Sequence, residues 1–360
     1  NPLAAGLGTA LGAALLLGVI SATTLMNRAR SEKRRFEQQQ RTVEVLSNMV
    51  LGKSLDETEE WLRLFFQPVE QQLLVAGDWT RDTVIDPEQP KEINRVLSTL
   101  IEHYPQISSF MIADQRGREH MLLGIRQTQA EGGHRQWKCR QTRRDEWQDQ
   151  VKWYEWIDEH AESAQVRTER LDYDPRTRPW FQGAVNKEAG PLATASTRHP
   201  IHWTEPYVFF TTKDLGITAS MTAPLSDHES VKTIVAFDVL LEDITRFTTT
   251  KHPTPLGRIL VLTQRAELVG LPNEESLRTP EQWKKLFLKP LAEFGRPYAL
   301  AAADAFSFSA ERTTQIRNFE CEGAAWWGAA RPFALGNDLT FWILVLLPES
   351  DLHESLSSES

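Results

Sequence analysis

The sequence predicts an α+β chain in which a long N-terminal helix, preceded by one transmembrane helix, carries two antiparallel-sheet modules. Three observations predict it. Apolar residues recur at helical spacing from about residue 30 to residue 76, as in Val43, Leu46 and Val50 and again in Leu62, Phe65, Val69 and Leu73. Short strand-like segments with tight turns come next, and consecutive strands joined in this way argue an antiparallel sheet. The order of two strands, a helical insertion and a further run of strands then occurs twice, without an obvious sequence repeat.

The 360 residues can bury a large core and suggest two or three domains. A net charge of −9 argues against a nucleic-acid partner. Cys139 and Cys321 are far apart and lack metal-ligand spacing, so they read as unpaired thiols, with a long-range disulfide as the alternative.

Residues 1–27 form the first segment. Pro2 to Met26 carry no charge and are long enough to cross a bilayer as a helix. Gly8 and Gly12 make a small-xxx-small pair that permits close helix–helix approach. A cleaved signal peptide is the competing reading, although its basic n-region is not visible. The chain begins with Asn rather than Met, so an upstream piece is expected. The basic run from Asn27 to Arg35 would place the rest of the chain in the cytoplasm by the positive-inside rule.

Residues 28–77 form the long helical region. A break is expected at Gly52-Lys53-Ser54, with Asp56 opening the next helix. This region reads either as an amphipathic helix packed on the core or as a dimer stalk.

The first module spans 78–252. Ile107 to Ala113 and His120 to Ile125 read as strands around a turn at Asp114-Gln115-Arg116-Gly117. A polar, Trp-rich insertion fills about 128–165, and within it Asp145 to Glu159 has the helical spacing of Trp153 and Trp156. Strands at Pro206–Phe210, Gly216–Met221 and Thr233–Val239 precede an exit helix from Leu240 to Phe247. Pro253 to Gly257 is a linker. The second module, 253–349, has strands near 258–262 and 267–270, a helix near Pro280–Phe294, and strands at Ala324–Arg331 and Thr340–Leu347. A polar tail closes the chain at 350–360.

The most informative stretch runs from Leu171 to Ala184. Asp174-Pro175 reads as a turn, and Pro179 suits the first position of a helix. Arg178 would then sit at a helix mouth beside free N–H groups, an arrangement suited to a carboxylate. The plainer reading is a solvated Arg-rich loop with Trp180 as a core plug.

The run Tyr173-Asp174-Pro175-Arg176-Thr177-Arg178-Pro179-Trp180-Phe181, then Thr204-Glu205-Pro206-Tyr207, then Ile234-Val235-Ala236-Phe237-Asp238 resembles the double-Cache family of bacterial extracytoplasmic sensor domains. The resemblance covers roughly residues 30–350. It implies two PAS-like antiparallel sheets stacked on the long helix, with 78–252 membrane-distal, 253–349 membrane-proximal, and a small ligand in the distal module. In the amino-acid-binding subset, the positions of Tyr173, Arg178 and Trp180 hold the ligand carboxylate, and that of Asp238 lies on the ammonium side. Two departures alter this site. Phe181 replaces a second tyrosine, and Phe209 replaces the carboxylate of Tyr-x-Asp, here Tyr207-Val208-Phe209. The ligand is therefore expected to be a small carboxylate, or one whose cationic end rests on Phe209.

No Gly-rich phosphate loop with Lys, His-Glu-x-x-His zinc motif or nucleophile elbow is present, so no enzyme activity, cofactor or metal is expected. His199, His202 and Glu205 lack a further ligand nearby, and Asp158-Glu159-His160 reads as a polar helix face. The leading expectation is a sensor anchored in the inner membrane by its N-terminal helix, with its bulk in the periplasm. Its expected partners are a small molecule and a second copy along the long helix. The alternative is a scaffolding subunit that uses the same fold to contact envelope proteins.

Overall fold

The computed structural model describes residues 2–82, 84–85, 89–126, 135–157, 165–188, 200–223, 231–308 and 313–358. Within the first helix, side chains are described at 26, 28 and from 30 onward.

Helix α1 (Pro2–Arg81) is one unbroken element. The expected break at Gly52–Ser54 does not occur. Buried positions Ser47, Leu51, Leu55, Thr58, Leu62, Phe66, Val69, Leu73 and Ala76 step by three or four straight through it. A single helical glycine costs only about 1 kcal/mol, which this packing overrides. Residues 30–42 are exposed on every side, so this part of α1 projects from the fold.

The first module is built on a nine-stranded antiparallel sheet. Its strands are β1 (Ser109–Asp114), β2 (Arg118–Arg126), β3 (Arg135–Arg143), β4 (Gln150–Ile157), β5 (Gln165–Arg170), β6 (His202–Trp203), β7 (Tyr207–Val208), β8 (Leu215–Thr222) and β9 (Thr233–Leu240). They lie in the order β5-β4-β3-β2-β1-β9-β8-β6, with β7 also on β8. Alternate residues serve opposite faces. Phe110, Ile112, Leu122, Val235 and Phe237 share one core with α1 and with α2 (Pro90–His103). Met111, Met121, Leu123, Ile234 and Ala236 pack on the other face, against Trp180, Phe181 and Ala184 of α4 (Pro179–Glu188).

The helix expected over 145–159 is instead a short turn of helix, α3 (Arg144–Trp147), followed by strand β4. Trp153 and Trp156 are three apart, which puts them on one face of a helix but on opposite faces of a strand. Here both faces are covered. Trp153 packs in the Trp180 cluster, and Trp156 stacks on its cross-strand partner Trp137 at 6.4 Å. Residues 158–160, read as a polar helix face, lie outside the described residues.

Helix α5 (Leu241–Thr248) leads into the second sheet, ordered β11-β10-β14-β13-β12. Its strands are β10 (Arg258–Thr263), β11 (Leu268–Gly270), β12 (Gln315–Cys321), β13 (Ala324–Leu335) and β14 (Leu339–Pro348). The helix expected at 280–294 is shorter: α6 (Pro280–Lys284) gives way to turns in which Leu288 takes φ 61°, and Pro290 bridges Glu267. A 3-10 turn at Leu291–Glu293 and then α7 (Pro297–Ala305) follow. The polar tail is also corrected. Helix α8 (Glu349–Ser358) buries Leu352, and Asp351 accepts hydrogen bonds from Thr254 Oγ1 and the Leu256 N–H, both at 2.7 Å, pinning the linker. Cys139 and Cys321 are buried free thiols.

Helix α1 binds both modules. Phe66 meets Trp203 edge-on at 5.4 Å and also contacts Phe333 and Phe341 of the second sheet. Trp61 stacks on Phe247 at 3.8 Å, and Arg331 pairs with Asp56 at 2.6 Å. A second tie joins the modules directly. Lys187, near the end of α4, pairs with Asp338 in the β13–β14 turn and donates to the Ile201 carbonyl at 2.5 Å. His202 Nδ1 lies 3.3 Å from the same carboxylate.

Candidate ligand-binding site

Residues 171–184 fold as their local chemistry dictates. The Asp174 side chain accepts a hydrogen bond from the Arg176 N–H at 3.0 Å and caps a 3-10 turn at Pro175–Thr177. The Arg176 guanidinium folds back onto Asp174 at 2.6 Å and holds its carboxyl below the ordinary range. Arg178 has extended backbone angles (φ −82°, ψ 146°), and its carbonyl accepts from the N–H groups of Phe181 and Gln182. It is thus the residue that opens α4, and its side chain lies at the helix mouth.

Arg178 lines a cavity of about 820 Å³ on the α4 face of the nine-stranded sheet. Strand register sets the floor in three rows. Arg140, Met121 and Met111 form the first; Lys138, Leu123, Ser109 and Asp238 form the second; Ile125 and Leu240 extend the same face to a third. Tyr173, Arg178, Trp180, Tyr207 and the turn 209–214 wall it, and Lys284 of α6 closes the far end against Asp214 at 2.7 Å.

Of the seven residues singled out from the sequence, six line this cavity: Tyr173, Arg178, Trp180, Tyr207, Phe209 and Asp238. Phe181 does not. It is buried beneath the wall, edge-on to Trp180 at 5.7 Å, because consecutive helical residues point in different directions.

Their polar groups are not equivalent. The Arg178 guanidinium lies 5.8 Å from the Tyr207 ring and 5.7 Å from the Phe210 ring, and it has no ion pair or side-chain hydrogen bond among the described residues. The Tyr173 hydroxyl, by contrast, already donates to Glu119 at 2.5 Å. Asp238 is buried and accepts from Ser109 and Thr218, each at 2.6 Å. Tyr207 donates to that Thr218 hydroxyl at 2.7 Å, completing a relay of three groups. Burial pushes the Asp238 carboxyl up to about 6, against the opposing effect of its two hydroxyl donors. Burial likewise pushes the Tyr207 phenol up. Phe209 folds its ring over Gly216, where a Cβ would stand 2.2 Å from it; the turn needs Lys213 at φ 62°.

Arg140 was not singled out from the sequence. Its guanidinium is buried, pairs with Glu119 at 2.9 Å, donates to Thr211 at 2.8 Å and lies 3.7 Å over the Tyr173 ring. It therefore holds the wall of the site while its own charge is spent on Glu119. The signal was present in the alternation Trp137, Lys138, Cys139, Arg140, which is that of a strand with one apolar face.

His202 faces Asp338, Glu205 is exposed, and His199 lies outside the described residues.

No family model matches the sequence, and no curated protein matches it. The structure is similar to the ligand-binding domain of Mlp24 with asparagine, at 14% identity and a TM-score of 0.51 over 88% of this chain and 99% of that one. It is also similar to the ligand-binding domain of the Pseudomonas aeruginosa PAO1 amino-acid chemoreceptor PctC in complex with GABA, at 15% identity and a TM-score of 0.50 over 84% and 99%. The chain therefore has the fold of the ligand-binding domains of bacterial chemoreceptors, the double-Cache sensor arrangement that residues 173–181 resemble.

Proposed function

We propose that the chain is the membrane-anchored, periplasmic ligand-sensing region of a bacterial signalling protein, and that its ligand carries a carboxylate bound by Arg178. The observation that carries this reading is the Arg178 guanidinium, which stands at a helix mouth in the wall of a large cavity without an anionic partner among the described residues. A planar fork at the positive end of a helix dipole favours a carboxylate over a neutral group. The ligands named with the two structural relatives, asparagine and GABA, each carry a carboxylate and an amine. The reading is of a binding domain rather than a catalyst.

Anchoring rests on the uncharged run 2–26, which is helical and continuous with α1. Its side chains before Met26 lie outside the described residues, and among those described no helix is long and apolar enough to cross a membrane. Ligand closure of the distal cavity would bias α1, which both modules grip.

Calorimetry on the full chain in lipid nanodiscs tests the site. Small carboxylates should bind, and Arg178→Ala should abolish binding. Tight binding of a standard amino acid that survives Arg178→Ala would sink the reading. Absence of binding by every carboxylate would favour a scaffolding role, which the replacement of a family carboxylate by Phe209 also favours.

A further inference from the structure

We infer that the cavity takes a short apolar peptide, with its C-terminal carboxylate on Arg178 and its chain running past Asp238 to the junction of the two modules. The inference rests on the proposed carboxylate role of Arg178.

Length is the first argument. Met121 and Ile125 bound the floor on β2 and are four residues apart, which is ~13 Å at ~3.3 Å per residue. The backbone of a free amino acid spans about one Cα–Cα step of ~3.8 Å, whereas two or three extended residues reach ~7–10 Å. The volume, about 820 Å³, falls in the upper part of the range of roughly 300–1,000 Å³ that encloses drug-sized ligands.

Chemistry along the length is the second argument. Beyond Arg178 the floor presents Met111, Met121 and Leu123, then Ile125, Leu240 and the Phe209 ring. These surfaces suit apolar side chains. Asp238 interrupts them in the row of Leu123, beside Ser109 and Lys138, and Asp214, Glu242 and Asp243 line the end toward α6. Asp238 lines the cavity, with one hydroxyl donor on each of its oxygens, and a carboxylate oxygen has capacity for a second. A purely aliphatic tail would waste that acceptor, while a peptide N–H or terminal ammonium would use it.

The far end is the third argument. There the cavity leaves the distal sheet and meets α6, where Lys284 of the second module pairs with Asp214 of the 209–214 turn. An extended peptide lying along the floor from Arg178 would reach this junction.

The test is a calorimetric series on the full chain in nanodiscs: leucine, dileucine, trileucine and octanoate, each with wild type and with Arg178→Ala. Dileucine or trileucine should bind about tenfold or more tighter than leucine, since one further buried apolar side chain is worth that factor. Octanoate should bind more weakly than dileucine, and Arg178→Ala should remove all binding. Leucine binding as tightly as the peptides, with loss in Arg178→Ala, would overturn the peptide inference and leave the carboxylate reading standing. Octanoate binding more tightly than dileucine would also overturn it, in favour of an acyl chain. Peptide binding unaffected by Arg178→Ala, or no binding by any of the four, would overturn both. The wild-type series is decisive by itself if the variant fails to fold.

Discussion

Asp238→Asn removes the one titrating carboxyl on the floor of the cavity while leaving an amide that can keep the Ser109 and Thr218 hydroxyls as partners. Burial raises the carboxyl from 3.8 to about 6 in the folded chain. Between those values the folded state holds a proton that the unfolded state has released. Stability from this group is therefore fullest below about pH 3.8 and falls as the pH rises through about 6. A tenfold change in proton affinity is worth ~1.4 kcal/mol, so the whole rise is worth ~3 kcal/mol. Between about pH 4.5 and about pH 7.5, ~2 kcal/mol of it should be lost. Urea unfolding of wild type and Asp238→Asn at those two pH values measures it. The stability of the variant relative to wild type should improve by ~2 kcal/mol at the higher pH, other titrating groups cancelling in the difference. Parallel pH profiles for the two proteins would refute the assignment of a buried, proton-holding Asp238.

His120 is buried against Asn94 Oδ1 at 2.9 Å, and burial lowers its imidazole to about 4. Because the folded state stays neutral, its contribution is complete above 6.5 and is lost as the pH falls toward about 4. Its ring resonances in NMR should hold their neutral positions until about pH 4, and a midpoint near 6.5 would contradict this environment. Gly183→Ala would put a methyl 2.0 Å from His202 Nε2 where α4 crosses β6, and should cost ~1–3 kcal/mol in urea unfolding; a neutral result would show that His202 gives way. Leu352→Ala, which empties the buried contact of α8, should cost ~2–5 kcal/mol by the same measurement. A change under about 0.5 kcal/mol would mean that α8 is not docked.

Local chemistry was the most legible part of the chain. Pro179 opens α4 and Asp174 caps the turn before it, because proline geometry and aspartate capping act over three or four residues and need no tertiary information. The placement of Arg178 is a consequence of both. Three features were hidden for physical reasons. Strand β4 carries Trp153 and Trp156 three apart, the spacing of one helical face, and a strand holds them only because both faces of the sheet are covered. With β3 unplaced, Arg140 could not be set beside Glu119 and Tyr173, so the prior engagement of the Tyr173 hydroxyl was out of reach. Helix α8 is polar enough to read as a tail, yet one buried leucine and one hydrogen-bonded aspartate anchor it. Phe181 stands where the resembling family has a second tyrosine, yet its ring packs beneath the wall against Trp180.

The clasp between Lys187 and Asp338 changes what α4 is mechanically. The helix opens at Arg178, in the cavity wall, and holds the second module one residue before its other end. Its ten residues make a stiff rod ~15 Å long at ~1.5 Å per residue. Pivoting such a rod by about 4° about one end swings the other by ~1 Å, enough to strain or release a short ion pair. The cavity and the second module are thus joined by a lever as well as by the spine they share, and the two need not carry the same message.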